Sequence, residues 1–416
     1  MNLLSRFKSS DPVQRTECSG IDPILAAVAI ALIGFGIVMV FSASAVEATV
    51  SFGDAQYYLK RQLIFGIAAA ALMFLTAQVD YHRLRVMTYP ILLLVTALLL
   101  ACVVGFGHSG GGATRWLSVG PVHVQPSEMA KLALVLWLAY SLAKKQERVK
   151  SFSVGMLPHL MMAGGLMLLC LKQPDFGGAL VLLFLTFTLL FVAGARLGYL
   201  LGVAIVGAIV ASYLVRFKAY RWERVLAWLR MVEHRHDLAY QPYQAVMSFG
   251  SGGFKGLGLG KGLQVLYLPE AHTDFVAAII GEELGYVGIV LVCGAYLLIV
   301  VRGVRAALLA PDDFGAYVAY GISVMFGVQA LVNLAVAMSI LPTKGMTLPF
   351  ISYGGSSLLV NGVAMGVLLN VSRVRSPAKH DVGGQSAPRA EASAFLISKT
   401  DFSKSARHVA EPRGAT

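Results

Sequence analysis

Residues 23–44 read PILAAVAIALIGFGIVMVFSAS, twenty-two positions without a charged side chain. A bilayer core takes roughly 20 apolar residues in helical form, so this run is long enough to cross one. The segment before it is polar through Asp22 and lacks the pattern of a cleavable signal, and Asp22-Pro23 is therefore read as the start of a retained first span. Nine more apolar runs bounded by charged or Gly/Pro-rich breaks predict helices over 61–79, 87–106, 128–143, 153–171, 177–194, 196–214, 275–300, 314–338 and 355–372. The window 128–143 is the weakest of the ten by hydropathy, because it is short and carries Glu128 and Lys131.

The whole chain agrees with that run. Of 416 residues, 57% are hydrophobic and 13% charged, where a soluble domain is about a quarter charged; the mean hydropathy is +0.70. The expected fold is an all-α polytopic membrane protein of about ten transmembrane helices. The net charge of +12 reports topology before it reports a nucleic-acid partner, because Lys and Arg collect on the cytoplasmic side of short loops. With the N-terminus inside, that side holds fifteen of them, among them Arg83, Arg85, Lys144, Lys145, Arg302 and Arg305. The short outer loops hold five: Lys60, Arg61, Arg115, Lys172 and Lys344. Both termini are thus expected in the cytoplasm, with a large outer loop at 215–274 between helices seven and eight. The expected domains are a cytoplasmic segment 1–21, a membrane domain 22–373 and a disordered cytoplasmic tail 374–416. Cys18, Cys102, Cys170 and Cys293 have neither disulfide nor metal spacing and read as packing residues.

This topology places nearly every unusual polar segment outside. Glu128 and Lys131 share a helix face near the outer surface, where a charge costs about 2.5–3.5 kcal/mol and marks a function by default; a self-neutralising i,i+3 pair is the plain alternative. Leu268 to Phe275 reads LPEAHTDF. Thr273 or Asp274 could simply cap the following helix, but three titratable residues in five positions also make an acid/base candidate. Helical spacing puts Glu282 about 80° around the axis from Asp274, so it is not assigned to the same site. The glycine-rich stretch 248–262 is not a nucleotide loop, because Lys261 is followed by Gly262 instead of a hydroxyl residue; an interfacial or re-entrant loop is expected. Residues 341–357, LPTKGMTLPFISYGGSS, predict irregular backbone that must line a cavity or be buried in protein. Arg221 and Arg224 are candidates for a diphosphate, and Trp116 for a sugar face or an interfacial anchor.

The strings PEAHTDF at 269–275, GEELG at 281–285 and LPTKGMTLPFISYGGSS at 341–357 resemble the SEDS family of peptidoglycan glycosyltransferases, as do RWLSVGPVHVQPSE at 115–128 and KQPDFG at 172–177. Lys344 and Ala271 fit its cell-division branch more than its elongation branch. The outer loop departs from the family at Asp237-Leu238-Ala239-Tyr240. The resemblance, over roughly residues 22–373, implies polymerisation of lipid II at the outer face of the bacterial cytoplasmic membrane, at the division septum. It implies as partners a class B penicillin-binding protein and other membrane proteins of division, and no nucleic acid. Asp274 then falls on the family's catalytic aspartate, acting as general base in an inverting transfer. Lys131, oriented by Glu128, and Arg221 or Arg224 would counter the leaving diphosphate, and Glu270, His272, Trp116, Lys344 and Ser352 would contact substrate. No cofactor is specified, although a divalent cation could assist the diphosphate. The rivals are an elongation-type polymerase, a lipid II flippase and a non-enzymatic division scaffold.

Overall fold

The computed structural model describes residues 20–110, 113–120, 122–145, 148–217, 219–343 and 345–373; nearly all of the expected N-terminal segment, the tail, Cys18 and Lys344 lie outside the described residues. Twelve α-helices are described: α1 Pro23–Phe52, α2 Tyr57–Gln78, α3 His82–Ala101, α4 Pro126–Lys144, α5 Leu157–Lys172, α6 Phe176–Val192, α7 Leu197–Arg216, α8 Ala219–Leu229, α9 Tyr240–Gly252, α10 Val276–Leu309, α11 Asp313–Ala337 and α12 Gly355–Ser372. The ten expected spans are α1 to α7 and α10 to α12. Seven of them are long and apolar enough to cross a membrane, and α6 and α7 are shorter apolar helices.

The tenth, α4, does not qualify by length and composition, and the reason is its place. Fourteen of its 19 residues are buried, because α3, α5, α6, α11 and α12 pack around it. A helix wrapped in protein needs no lipid-facing hydropathy, so the span that looks weakest in the sequence is the centre of the bundle. At the opposite extreme is α7, where Leu200 alone among the described residues is buried. The helix is apolar on all sides and belongs in hydrocarbon.

Local signals set the helix ends. Asp22 accepts from Ile24 N and Leu25 N ahead of Pro23, Asp175 from Gly178 N, and Asp312 from Gly315 N, each cap stabilising its helix by about 1 kcal/mol. α2 and α12 pack with backbones almost touching, since a Cβ at Gly362 would stand 2.5 Å from Ala69 O and one at Gly366 2.3 Å from Met73 O. Small residues four apart are what such a crossing requires.

Three features differ from the sequence expectations. Three short strands form a small antiparallel sheet, β1 His108–Gly110, β2 Ala113–Val119 and β3 Val122–Val124. The outer segment 215–274 contains α8 and α9 and is not a loop throughout. The glycine-rich stretch, expected as an interfacial or re-entrant loop, is helix as far as Gly252, the end of α9, and from Gly253 a strap fixed to α10. At Gly285 (φ 66°, ψ −159°) the helix ladder of α10 breaks. Leu257 N and Gly258 N donate to Glu282 O and Glu283 O at 3.0 and 2.9 Å, and Tyr286 N donates to Gly253 O at 2.9 Å. The strap thus takes up the hydrogen bonds that the helix gives up, which is how irregular backbone survives at membrane depth. Glycine is required for contact this close: a Cβ at Gly256 would stand 2.1 Å from Glu283 O.

Candidate active site

The end of the bundle where α4 and α10 begin gathers most of the buried charge. Lys131 Nζ lies 2.7 Å from Glu128 Oε2, both side chains buried, so the i,i+3 pair expected from the sequence forms. It is tied further into protein: Lys131 Nζ donates to Gln329 Oε1 of α11 at 2.9 Å, and Ser357 Oγ of α12 donates to Glu128 Oε2 at 3.2 Å. An ammonium has three N–H donors, so these contacts leave one for an anionic ligand.

Asp274 stands immediately before α10. It is not the helix cap: the N-cap position is Phe275, which makes no side-chain cap bond. The chain reaches it through a left-handed turn at Glu270 (φ 57°), whose carbonyl accepts from Thr273 N and Asp274 N at 3.1 and 3.3 Å. Asp274 is half-buried, and Gly345 approaches so closely that a Cβ there would stand 3.0 Å from Asp274 Oδ2. Burial, and then the charge of Glu270, push its carboxyl up to about 7, against the pull of Arg115 and Arg224, with Asp175 adding to the rise. A carboxylate poised there is a competent general base near neutral pH. Asn333 of α11 joins the two loops of the site, its Nδ2 donating to Asp274 O at 3.1 Å and to Met346 O at 2.6 Å.

The remaining expected residues divide. Arg224 Nη1 donates to Thr343 O at 3.4 Å and reaches Asp274 electrostatically. Arg221 belongs to α8. Trp116 lies on β2, beside Arg115, and pairs with His108. Glu270 is exposed and accepts from Thr273 Oγ1 at 3.0 Å. His272 is buried between Tyr58 and Tyr353, 3.4 Å from Glu47 Oε2, and burial holds its imidazole below the usual range. Ser352 is buried and its hydroxyl accepts from Leu348 N at 2.8 Å, so it closes its own loop; the hydroxyls that face the ion pair are Ser357 and, through it, Thr347. Glu282 is held apart from Asp274 as expected, its Oε1 accepting from Leu263 N and Gln264 N at 2.8 and 3.1 Å.

Sequence reasoning passed over Arg115, Gln329 and Asn333. In the sequence Arg115 is an outer-loop charge at the head of a family-like string; in the structure its guanidinium grips Gln173 O at 3.0 Å and Pro174 O, fixing the KQPDFG turn beside the site. The two amides were single polar residues in an apolar helix, where the cost of burying an unpaired amide is itself a signal. Among the described residues no group of three or more His, Cys, Asp or Glu could hold a metal ion.

Residues 23–377 match the family model described as cell cycle protein, that of FtsW, RodA and SpoVE. The chain is 45% identical over 358 residues to a probable peptidoglycan glycosyltransferase FtsW of Geobacter metallireducens, covering 86% of this chain and 96% of the relative. It is 38% identical to stage V sporulation protein E of Bacillus subtilis over 86% of this chain and 98% of that one. Among solved structures it superposes with a TM-score of 0.71 on a chain of a peptidoglycan synthase complex that coordinates polymerization and crosslinking, at 31% identity over 85% of this chain and 98% of that one. The rod shape determining protein RodA of Thermus thermophilus matches with a TM-score of 0.64 and 31% identity, covering 86% of this chain and 98% of RodA.

Proposed function

The chain belongs to the cell cycle protein family of FtsW, RodA and SpoVE, and on that premise we propose how its geometry performs the chemistry: it is a peptidoglycan glycosyltransferase of the FtsW type. The substrate is lipid II, polymerised at the outer face of the bacterial cytoplasmic membrane at the septum, with a class B penicillin-binding protein as the crosslinking partner alongside other membrane proteins of division. The resemblance to a synthase complex supports that partnership.

Asp274 takes the proton from the 4-hydroxyl of the acceptor GlcNAc as that oxygen forms its bond to the anomeric carbon of the donor MurNAc. The bond to undecaprenyl diphosphate breaks on the opposite face, and the anomeric centre inverts. The leaving group is already an anion, so it needs countercharge more than a proton. Lys131 supplies it through its remaining N–H, held on target by Glu128 and Gln329, and Arg224 and Arg115 add positive charge beside Asp274. A divalent cation would act there only by sharing the diphosphate charge. Trp116 and Glu270 serve as contacts to the sugars and phosphates, a role that the resemblance also implies for Lys344, while His272 and Ser352 support the loops of the site. One observation carries the proposal: a single carboxylate raised toward neutrality, packed against backbone and flanked by two arginines.

The test is reconstitution of the full chain with its transpeptidase partner in liposomes supplied with lipid II. Glycan strands are the expected product. Transfer of labelled lipid across the bilayer without polymer would make the protein a flippase, and partner binding without either activity would make it a scaffold.

A further inference from the structure

α11 carries two buried amides one turn apart, each reaching a different half of the site. Gln329 Oε1 accepts from Lys131 Nζ at 2.9 Å, and the NH₂ of Asn333 serves two backbone carbonyls, Asp274 O at 3.1 Å and Met346 O at 2.6 Å. Each also keeps one polar atom without a hydrogen bond, Gln329 Nε2 and Asn333 Oδ1. Leucine at both positions would remove those unpaired atoms, so packing alone does not explain the amides. Four residues of helix span about 6 Å, a fixed interval on a helix whose described residues are mostly buried.

We infer that Gln329 and Asn333 are positioning residues that set the separation between Asp274 and the Lys131 ammonium. The inference rests on the assignment of Asp274 as the base. It makes the two positions chemically opposite. Position 329 needs an acceptor, which glutamate also supplies. Position 333 needs a donor pair, which neither aspartate nor leucine supplies despite similar shape. Without Asn333 the loops of Asp274 and Met346 lose their common tie, and the carboxyl moves relative to the charged groups that face it. Those groups are Glu270 from its own loop, Arg115 from β2, Arg224 from α8 and Asp175 from the cap of α6. Asn333 is neutral, so any effect of its removal on the titration comes through position.

Steady-state polymerisation of lipid II in the reconstituted complex tests this, with kcat and KM followed from pH 5 to 9. Asn333→Asp and Asn333→Leu are expected to lower kcat by roughly tenfold to a hundredfold, to leave KM within about threefold, and to move the acid limb of kcat. Gln329→Leu is expected to lower kcat by about tenfold and Gln329→Glu to restore it. Wild-type kcat in Asn333→Asp would overturn the inference. So would a loss of kcat that tracks thermal unfolding with the acid limb unmoved, because that is a structural role only. Asp274→Asn runs alongside: an active Asp274→Asn variant would remove the base assignment itself, whereas an inactive one beside an active Asn333→Asp would remove only the positioning role.

Discussion

Asp274 and Glu282 lie eight residues apart at the head of α10, and the helix uses them in contrary ways. The Glu282 carboxylate is wholly enclosed, and one of its oxygens accepts two backbone N–H bonds from Leu263 and Gln264. Asp274 is half-buried, and its side chain faces a glycine and the charges of Arg115, Arg224 and Glu270. A carboxylate whose oxygen is taken by two backbone amides holds chain in place. One packed against backbone and left among movable charges can take a proton and return it. The head of α10 thus separates an architectural acid two turns inside it from a reactive one just before it, and the chain at Leu263 and Gln264 is what the architectural acid holds.

The contrast breaks most visibly in activity. Asp274→Asn should lower lipid II polymerisation by about 10² to 10⁴, the usual worth of a positioned general base, with an unchanged melting temperature in detergent. Stability should show the opposite pattern. Gly256→Ala places a Cβ 2.1 Å from Glu283 O at a φ of +78°, which should cost about 2 to 4 kcal/mol, read as a lower midpoint of thermal unfolding with activity per folded molecule nearly retained. Glu282→Leu removes two charge-assisted bonds to backbone N–H groups and should cost about 2 to 3 kcal/mol by the same measurement. An Asp274→Asn protein that melts early, or a Glu282→Leu protein that is stable but inactive, would exchange the two roles.

Much of this was legible in the residues. Uninterrupted apolar runs announced the spans, and the i,i+3 spacing of Glu128 and Lys131 announced the ion pair that they form. What escaped has physical causes. The sheet rests on two strands of three residues, β1 and β3, and on β2, whose sequence ATRWLSV does not alternate apolar with polar. The break in α10 depends on chain from Gly253 to Gly258, which periodicity within the helix cannot report. α4 looked marginal because hydropathy assumes a lipid neighbour, and its neighbours are helices. The bond from Leu348 N to the Ser352 hydroxyl could not be read in advance, because irregular loops use hydroxyls for their own amides without a fixed spacing.

The smallest expected effect is the most direct test of the central claim, that a carboxylate balanced among these charges is the base. The initial rate of glycan polymerisation, followed against pH, should rise with a midpoint near 7, the value at which Asp274 gives up its proton. Because Arg224 lowers that value and Glu270 raises it, the midpoint should move upward in Arg224→Gln and downward in Glu270→Gln, by a fraction of a unit to about one unit each. A rate that is flat across this range, or a midpoint that neither substitution moves, would contradict the assignment of Asp274 as the base.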